Sequence, residues 1–541
     1  MQKSRKQGMF EGAFILMVGG ILVKIIGAMF KLPLQNLIGE EGTAYFTVAY
    51  DIYTWMYIIT TAGLPVAISR MVSAYNAKGR PADSERTLSI AFKAFMTFGV
   101  LCSAVMILFA KQLAVGMGTE FSKFAIMAIA PSIMFEVAMS CYRGFYQGEK
   151  NMTPTAISQI IVALAKLIFG IAFTLLILKM IPQSNEMRIP LAAAGAIAGV
   201  TVGTVLGAIY LGIRFSRQGK ERKRRAATGP KPFPTSRILK KLLWIAIPVT
   251  IGASVLSITN LVDTALLMRR LGVAGLSQKE VVFSYGSYSW ARTLFNLPTA
   301  LIVPLGVAVV PTISEQFALR RYDLAKDYID STLRVASLMS IPAGMGLAVL
   351  SKPILTLLYP SRPDGVEMAA PLLTMLGPAV VLVCMVSITN ALLQAMGHER
   401  VPIITMLIGG ALKVFCNYFL VANPAWKINA APLGTNLCYG VITILNLIVI
   451  SRALGKGVDI LGAIAKPLIS SVVCCAAAYG VYALLSNFLG NTLSLFGALA
   501  VAVVIYLVLV LAMKTLRRMD VQMFPKAAKI EKILDKFGWI G

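Results

Sequence analysis

The chain has 541 residues, of which 57% are hydrophobic and only 14% charged, and its mean hydropathy is +0.75. Water-soluble domains carry about a quarter charged residues, so this composition excludes an ordinary soluble enzyme and makes lipid the expected solvent. The net charge of +27 invites a nucleic-acid reading, but the 51 Lys and Arg residues are spread over many short segments instead of one polar domain, so no nucleic-acid partner is expected.

The first apolar run begins near Gly12, behind a basic start of Lys3, Arg5 and Lys6. It continues past signal-peptide length with no small-residue cleavage pattern before Lys31, and so reads as a retained helix. Further apolar runs begin near Ala44, Leu88, Phe124, Thr153, Pro190, Leu239, Val281, Val335, Met368, Val401, Pro432, Ala463 and Leu493. Each can span a hydrocarbon core of roughly 30 Å, and none alternates as barrel strands do. The expected fold class is all-α integral membrane, with about fourteen transmembrane helices. The seven cysteines, Cys102, Cys141, Cys384, Cys416, Cys438, Cys474 and Cys475, all fall in apolar runs without CxxC spacing. They read as buried small hydrophobes, with no disulfide or metal site expected.

Loop charge orients the helices. The N-terminus, Arg70 to Arg86, Arg143 to Lys150, Arg214 to Lys241, Arg320 to Arg334, the turn with Arg400, Arg452 to Lys466 and the tail from Lys514 fall on one face. Together they hold about 35 of the 51 Lys and Arg residues, against about 10 in the opposite loops, which puts both termini in the cytoplasm of a multi-pass plasma-membrane protein. The densest run, RQGKERKRR from Arg217 to Arg225, precedes Pro230, Pro232 and Pro234 and reads as a flexible cytosolic linker with a secondary reading as an anionic-lipid contact. Beyond Val521 the tail to Ile540 sets Ala527, Ile530, Leu534 and Phe537 opposite Lys526, Lys529, Lys532 and Lys536, as in a helix lying on the membrane surface.

The chain also repeats itself. AISRMVSAYNAKGRPADSERTLSIA from Ala67 matches TISEQFALRRYDLAKDYIDSTLRVA from Thr312 without a gap, at an offset of 245. With short gaps, the segment from Tyr146 matches that from Leu393, pairing Pro154 with Pro402 and Lys166 with Lys413. The expected organisation is a first six-helix lobe over 1–215, a linker over 216–238, a parallel second lobe over 239–452, two added helices over 453–514 and a cytosolic amphipathic tail over 515–541. Parallel repeats around a central cavity suit alternating access. Gly195, Gly199, Gly203 and Gly207 form a close-packing stripe on the sixth helix. Pro65, Pro248, Pro298, Pro304, Pro311, Pro342 and Pro378 are candidate kinks.

Ionisable residues inside the runs are candidates for function, because a lysine at the bilayer centre costs about 3 kcal/mol on insertion scales. The cations are Lys24, Lys31, Lys93, Lys166, Arg292 and Lys413; the acids are Asp51, Glu136 and Asp263. Lys24, Lys166, Arg292, Lys413 and Glu136 fall deep, Lys31 and Asp263 towards the outer end, and Lys93 close enough to the cytosol to snorkel. The cations outnumber the acids, so pairing among themselves cannot absorb them all. An anionic substrate such as a phosphate or diphosphate follows, with Arg292 able to offer a planar fork.

Four segments carry a family resemblance: GGILVKIIGAMFKLPLQNLIGEEGTAYF from Gly19, GLPVAISRMVSAYNAKGR from Gly63, NLVDTALL from Asn260 and WARTLFNLPTALIVPLGVAVVPTISE from Trp290. They resemble the polysaccharide-transport branch of the MATE-like flippases in the MOP superfamily, and more narrowly the YtgP and stage V sporulation protein B group, relatives of the lipid II flippase MurJ. The resemblance covers essentially the whole chain. It implies a V-shaped pair of lobes whose cavity is lined by helices one, two, seven and eight, and a groove for a polyprenyl tail on the last two helices. The family's cavity basics fall on Lys24 and Arg292, and Asp263 sits where relatives carry an acid; Phe30 takes the position of a second basic residue, with Lys31 beside it. The implied activity is flipping of lipid II, an anionic lipid-linked sugar, across the plasma membrane, with no cofactor, driven by the membrane potential or a coupling ion. Membrane lipids and cell-wall synthesis proteins are the implied partners.

Other readings stay open on the sequence. A flippase for a capsule, exopolysaccharide or teichoic-type unit shares the same fold. A MATE-type drug or cation antiporter would need acids in its cavity. A membrane glycosyltransferase or phosphatase would need carboxylate pairs, metal ligands or histidines near the interface, whereas the single His398 falls in a short turn beside Glu399 and Arg400.

Overall fold

The structure, a computed structural model, describes residues 9–227 and 230–522, which are helical almost throughout and contain no strand. In chain order the α-helices are α1 (Met9–Thr61), α2 (Leu64–Ala77), α3 (Pro81–Leu108), α4 (Ala110–Gly116), α5 (Lys123–Ile129), α6 (Ser132–Gly148), α7 (Thr153–Met180), α8 (Arg188–Arg217), α9 (Gly219–Ala227) and α10 (Thr235–Val273). They continue with α11 (Gln278–Phe295), α12 (Leu297–Ala318), α13 (Tyr322–Val349), α14 (Ser351–Leu358), α15 (Pro363–Ala395), α16 (Arg400–Leu420), α17 (Ala430–Leu454), α18 (Ile460–Ala512) and α19 (Arg518–Gln522). The surface-lying helix expected over the tail to Ile540 falls outside the described residues.

Eleven helical runs among the described residues are long and apolar enough to cross a membrane, against the fourteen expected. Two of them far exceed the roughly twenty residues that one crossing needs: Ile15–Ala77 with 63 and Ile460–Ala512 with 53. Each contains one glycine at positive φ, Gly39 at 66° and Gly490 at 69°, where the helical path breaks in a conformation that a Cβ would disfavour. Hence α1 has two legs, one on each side of Gly39. Several helices start earlier than hydropathy suggests, α3 at Pro81 and α13 at Tyr322, because their first turns are polar but still helical. Pro65 and Pro298 sit in the first turns of α2 and α12, where a proline costs no hydrogen bond, whereas Pro248, Pro342 and Pro378 lie inside helices.

The outer surface is that of a protein solvated by lipid. Phe488 is 84% exposed, Leu461 80% and Trp244 75%, a degree of apolar exposure that water would penalise heavily. With lipid outside, helices associate through close packing and internal hydrogen bonds. The glycine stripe of α8 does this against α7: a Cβ on Gly199 would lie 2.4 Å from the backbone nitrogen of Gly170. All seven cysteines are buried.

Packing divides the chain into two compact units, Met1–Gly272 with Leu276–Gly286, and Val273–Gly275 with Ser287–Gly541. This packing boundary is not the repeat boundary, since α10 packs with the first unit. Ile238, Leu242, Ile245 and Ala246 of α10 join a core with Leu64, Ile68 and Met71 of α2 and with Val137 and Cys141 of α6.

The segment expected to be a flexible linker is instead clamped to the first unit. Arg222 of α9 lies 3.5 Å from Glu85 and stacks on Phe215. Burial pulls its guanidinium below the usual arginine value, an effect that Glu85 opposes. The Phe233 amide donates to Asp83 at 2.7 Å, and Arg80 donates to the Lys231 carbonyl at 2.9 Å. The acids at the start of α3 hold the linker, a tertiary effect that its composition could not announce. The second unit has a counterpart: Asp330, which the repeat offset aligns with Glu85, accepts from the Asp459 amide at 3.0 Å. The C-terminal helices pack within the second unit, with Tyr506 of α18 donating to the Leu338 carbonyl of α13 at 2.7 Å.

Candidate functional site

In the first unit, the membrane-embedded charges gather around the two legs of α1. Lys24 on the first leg is exposed, as are Ile25 and Met29 on the same leg; Lys31 is half-buried. Phe30 is buried against Phe46 with ring centroids 6.0 Å apart, and its ring face lies 4.8 Å from the Lys166 ammonium of α7. Tyr50 on the second leg presents another ring at 4.8 Å. This leg carries an aromatic ladder of Phe46, Tyr50, Tyr53 and Tyr57, with successive centroids 5.7, 5.6 and 5.9 Å apart. The spacing of four, three and four residues puts all four rings on one helical stripe.

The acids of this unit have other partners. Glu136 on α6 is buried 3.6 Å from Arg143, two turns along the same helix, and the Arg143 Nε donates to Ser158 Oγ at 2.9 Å. Arg143, expected in a basic loop, is therefore a buried helical residue, because its acid partner and Ser158 compensate it within the packed unit. Asp51 accepts from Thr264 Oγ1 of α10 at 2.7 Å, and the same hydroxyl is 2.9 Å from the Tyr285 hydroxyl of α11. Asp263, next to Thr264, is 1% exposed. Lys93 is exposed on α3.

In the second unit, Arg292 on α11 and Lys413 on α16 are both half-buried. The Tyr439 ring stacks on Phe295 at 6.2 Å, and the Arg292 guanidinium lies 5.9 Å from the Tyr288 ring. Polar side chains fix the register of these helices. Asn446 of α17 accepts from Thr405 of α16 at 2.8 Å and donates to Thr389 and Asn390 of α15, each at 2.9 Å.

Of the eight expected site residues, the structure therefore brings Lys166 to two rings of α1 and Arg292 to the ring of Tyr288. Glu136 is drawn away to Arg143. The aromatic partners were missed in the sequence, although the ladder on α1 was readable from its spacing alone. Among the described residues no cluster of three His, Cys, Asp or Glu side chains could hold a metal ion.

The sequence model of the family described as polysaccharide biosynthesis protein matches residues 9–317, and that of MatE matches 248–419. The chain is 26% identical over 466 residues to the lipid II flippase MurJ of Bacillus subtilis (strain 168), an alignment covering 84% of each chain. It is 24% identical over 540 residues to stage V sporulation protein B of the same organism, covering 96% of this chain and 98% of that one. A solved structure of the lipid II flippase MurJ in an inward closed conformation superposes with a TM-score of 0.65 at 14% identity, over 92% of this chain and 96% of the other.

Proposed function

The chain belongs to the polysaccharide biosynthesis protein family, within the MATE-like transporters of the MOP superfamily, and from that membership we propose that it flips lipid II from the cytoplasmic to the outer leaflet of the bacterial plasma membrane. In this reading the chain crosses the membrane fourteen times, its two repeats alternate in exposing the cargo, and both termini are cytoplasmic. The family match supports movement of a lipid-linked precursor; the charges support the sign of the cargo. One observation carries that sign. Lys166 in the span Thr153–Met180 and Lys413 in the span Arg400–Leu420 stand half-buried, while Glu136 is drawn to Arg143 and Asp51 accepts from Thr264. Cations in that setting favour an anion such as a diphosphate over a cationic drug. Lys24 and Arg292 are the proposed diphosphate contacts, Arg292 through a bidentate fork and Lys24 as a point charge.

The membrane potential, negative inside, would favour export of an anion by about 2.3 kcal/mol per uncompensated charge per 100 mV. The test is outward movement of labelled lipid II in vesicles containing the purified protein, with and without collapse of the potential. Transport of intact lipid II is expected. Transport of another undecaprenyl-diphosphate glycan with lipid II left behind would replace the cargo, and chemical change of the labelled lipid would replace the transporter class.

Orientation has its own test. Ser184, exposed between α7 and α8, and Lys220, exposed on α9, are suitable reporter positions. Ser184→Cys is expected to react with an impermeant thiol reagent in intact cells, and Lys220→Cys only after permeabilisation. The opposite pattern would invert the protein in the membrane. The seven native cysteines are buried and should give little background.

A further inference from the structure

A lysine inside a membrane protein normally comes with a carboxylate, because two charges removed from water need each other. Lys166 does not follow that rule. Among the described residues no carboxylate lies within ion-pair distance of it, and its neighbours are the ring faces of Phe30 and Tyr50, each 4.8 Å from the ammonium. Ring quadrupoles attract a cation but compensate its charge far less than an anion does. The side chain is half-buried, so part of it remains within reach of a ligand.

A further observation makes this a built arrangement. The cage is assembled from both legs of α1, Phe30 before the break at Gly39 and Tyr50 after it, so the fold of that helix around its glycine sets the two rings about the lysine.

We infer that Lys166 is an anion-binding residue within the first unit, taking a phosphate oxygen of the diphosphate-linked cargo while Phe30 and Tyr50 hold its ammonium in place. The inference rests on the flippase reading given above and adds a contact to Lys24 and Arg292. A charge-assisted hydrogen bond to phosphate supplies what the rings do not, so the ammonium is better compensated with cargo bound than without it. A phospholipid headgroup presents similar oxygens, so the experiment must separate the two sources.

The measurement is equilibrium binding of labelled undecaprenyl diphosphate to the full chain in phosphatidylcholine nanodiscs, with undecaprenol as the neutral control and phosphatidylglycerol as competitor. Lys166→Met and Lys166→Gln are expected to weaken diphosphate binding by about tenfold or more and leave undecaprenol binding unchanged, while Lys166→Arg retains most of the affinity. Equal affinity in the wild type and both neutral variants would remove Lys166 from the site and leave the flippase reading standing. No diphosphate-dependent binding by the wild type would overturn that reading and this inference together. Efficient displacement by phosphatidylglycerol would assign the residue to headgroups and not to cargo. Loss of undecaprenol binding in step with diphosphate binding, in Met and Gln variants alike, would make Lys166 a packing residue.

Discussion

Arg292→Ala is expected to abolish outward movement of labelled lipid II while the protein still reaches the membrane at normal levels. The residue is half-buried on α11, three positions before that helix ends at Phe295, and its guanidinium lies 5.9 Å from the Tyr288 ring. Truncating one member of a desolvated, hydrogen-bonded charge pair costs about 2–5 kcal/mol, roughly one and a half to three and a half orders of magnitude in a rate that depends on it. Arg292→Lys should recover only part of this, since it restores the charge without the planar fork. Lys413→Ala should be milder if Arg292 makes the principal contact, and the double variant should be no worse than Arg292→Ala. Transport by Arg292→Ala at the wild-type rate would exclude the residue as an anion contact. Membrane levels measured alongside separate a transport defect from failed insertion.

Fold class and cation excess were legible in the sequence because both follow from composition, which the solvent dictates. An 18-residue apolar window reports lipid contact whatever the neighbouring helices do, and a lysine within it stands out. Packing was not legible to the same degree. The start of α13 at Tyr322 escaped hydropathy because its first three turns are polar, and they are polar because they receive Lys456, the Asp459 amide and Asp520 from elsewhere in the chain. The linker looked flexible because arginine-rich and proline-rich composition usually is, yet Glu85 and Asp83, far away in sequence, hold it. Partner choice was the other blind spot. Nothing local says that Glu136 prefers Arg143 to a deep lysine, although seven residues along one helix places the two on one face.

The root of the C-terminal segment rests on one buried ion pair, and breaking it should destabilise the second unit more than any surface change. Arg334 of α13 is 2% exposed and Asp520 of α19 is fully buried, with Arg334 Nη1 3.0 and 3.3 Å from the two carboxylate oxygens across 186 residues of sequence. The same carboxylate accepts from the Ser331 hydroxyl and from the Arg517 amide at 2.8 Å, so it also caps the first turn of α19. Asp520→Ala would leave a buried guanidinium without its anion and two donors without an acceptor. Removing one partner of a buried pair costs about 3–5 kcal/mol, largely through the uncompensated charge that remains. The expected result is a marked fall in Tm for purified Asp520→Ala in nanodiscs. A second variant identifies the cause: Arg334→Met combined with Asp520→Ala removes both charges and should regain more than half of the loss, because a neutral buried pair carries no desolvated ion. If the double variant is instead as unstable as the sum of the two singles, the loss comes from the Ser331 and Arg517 hydrogen bonds and from packing, and the ion pair itself contributes little.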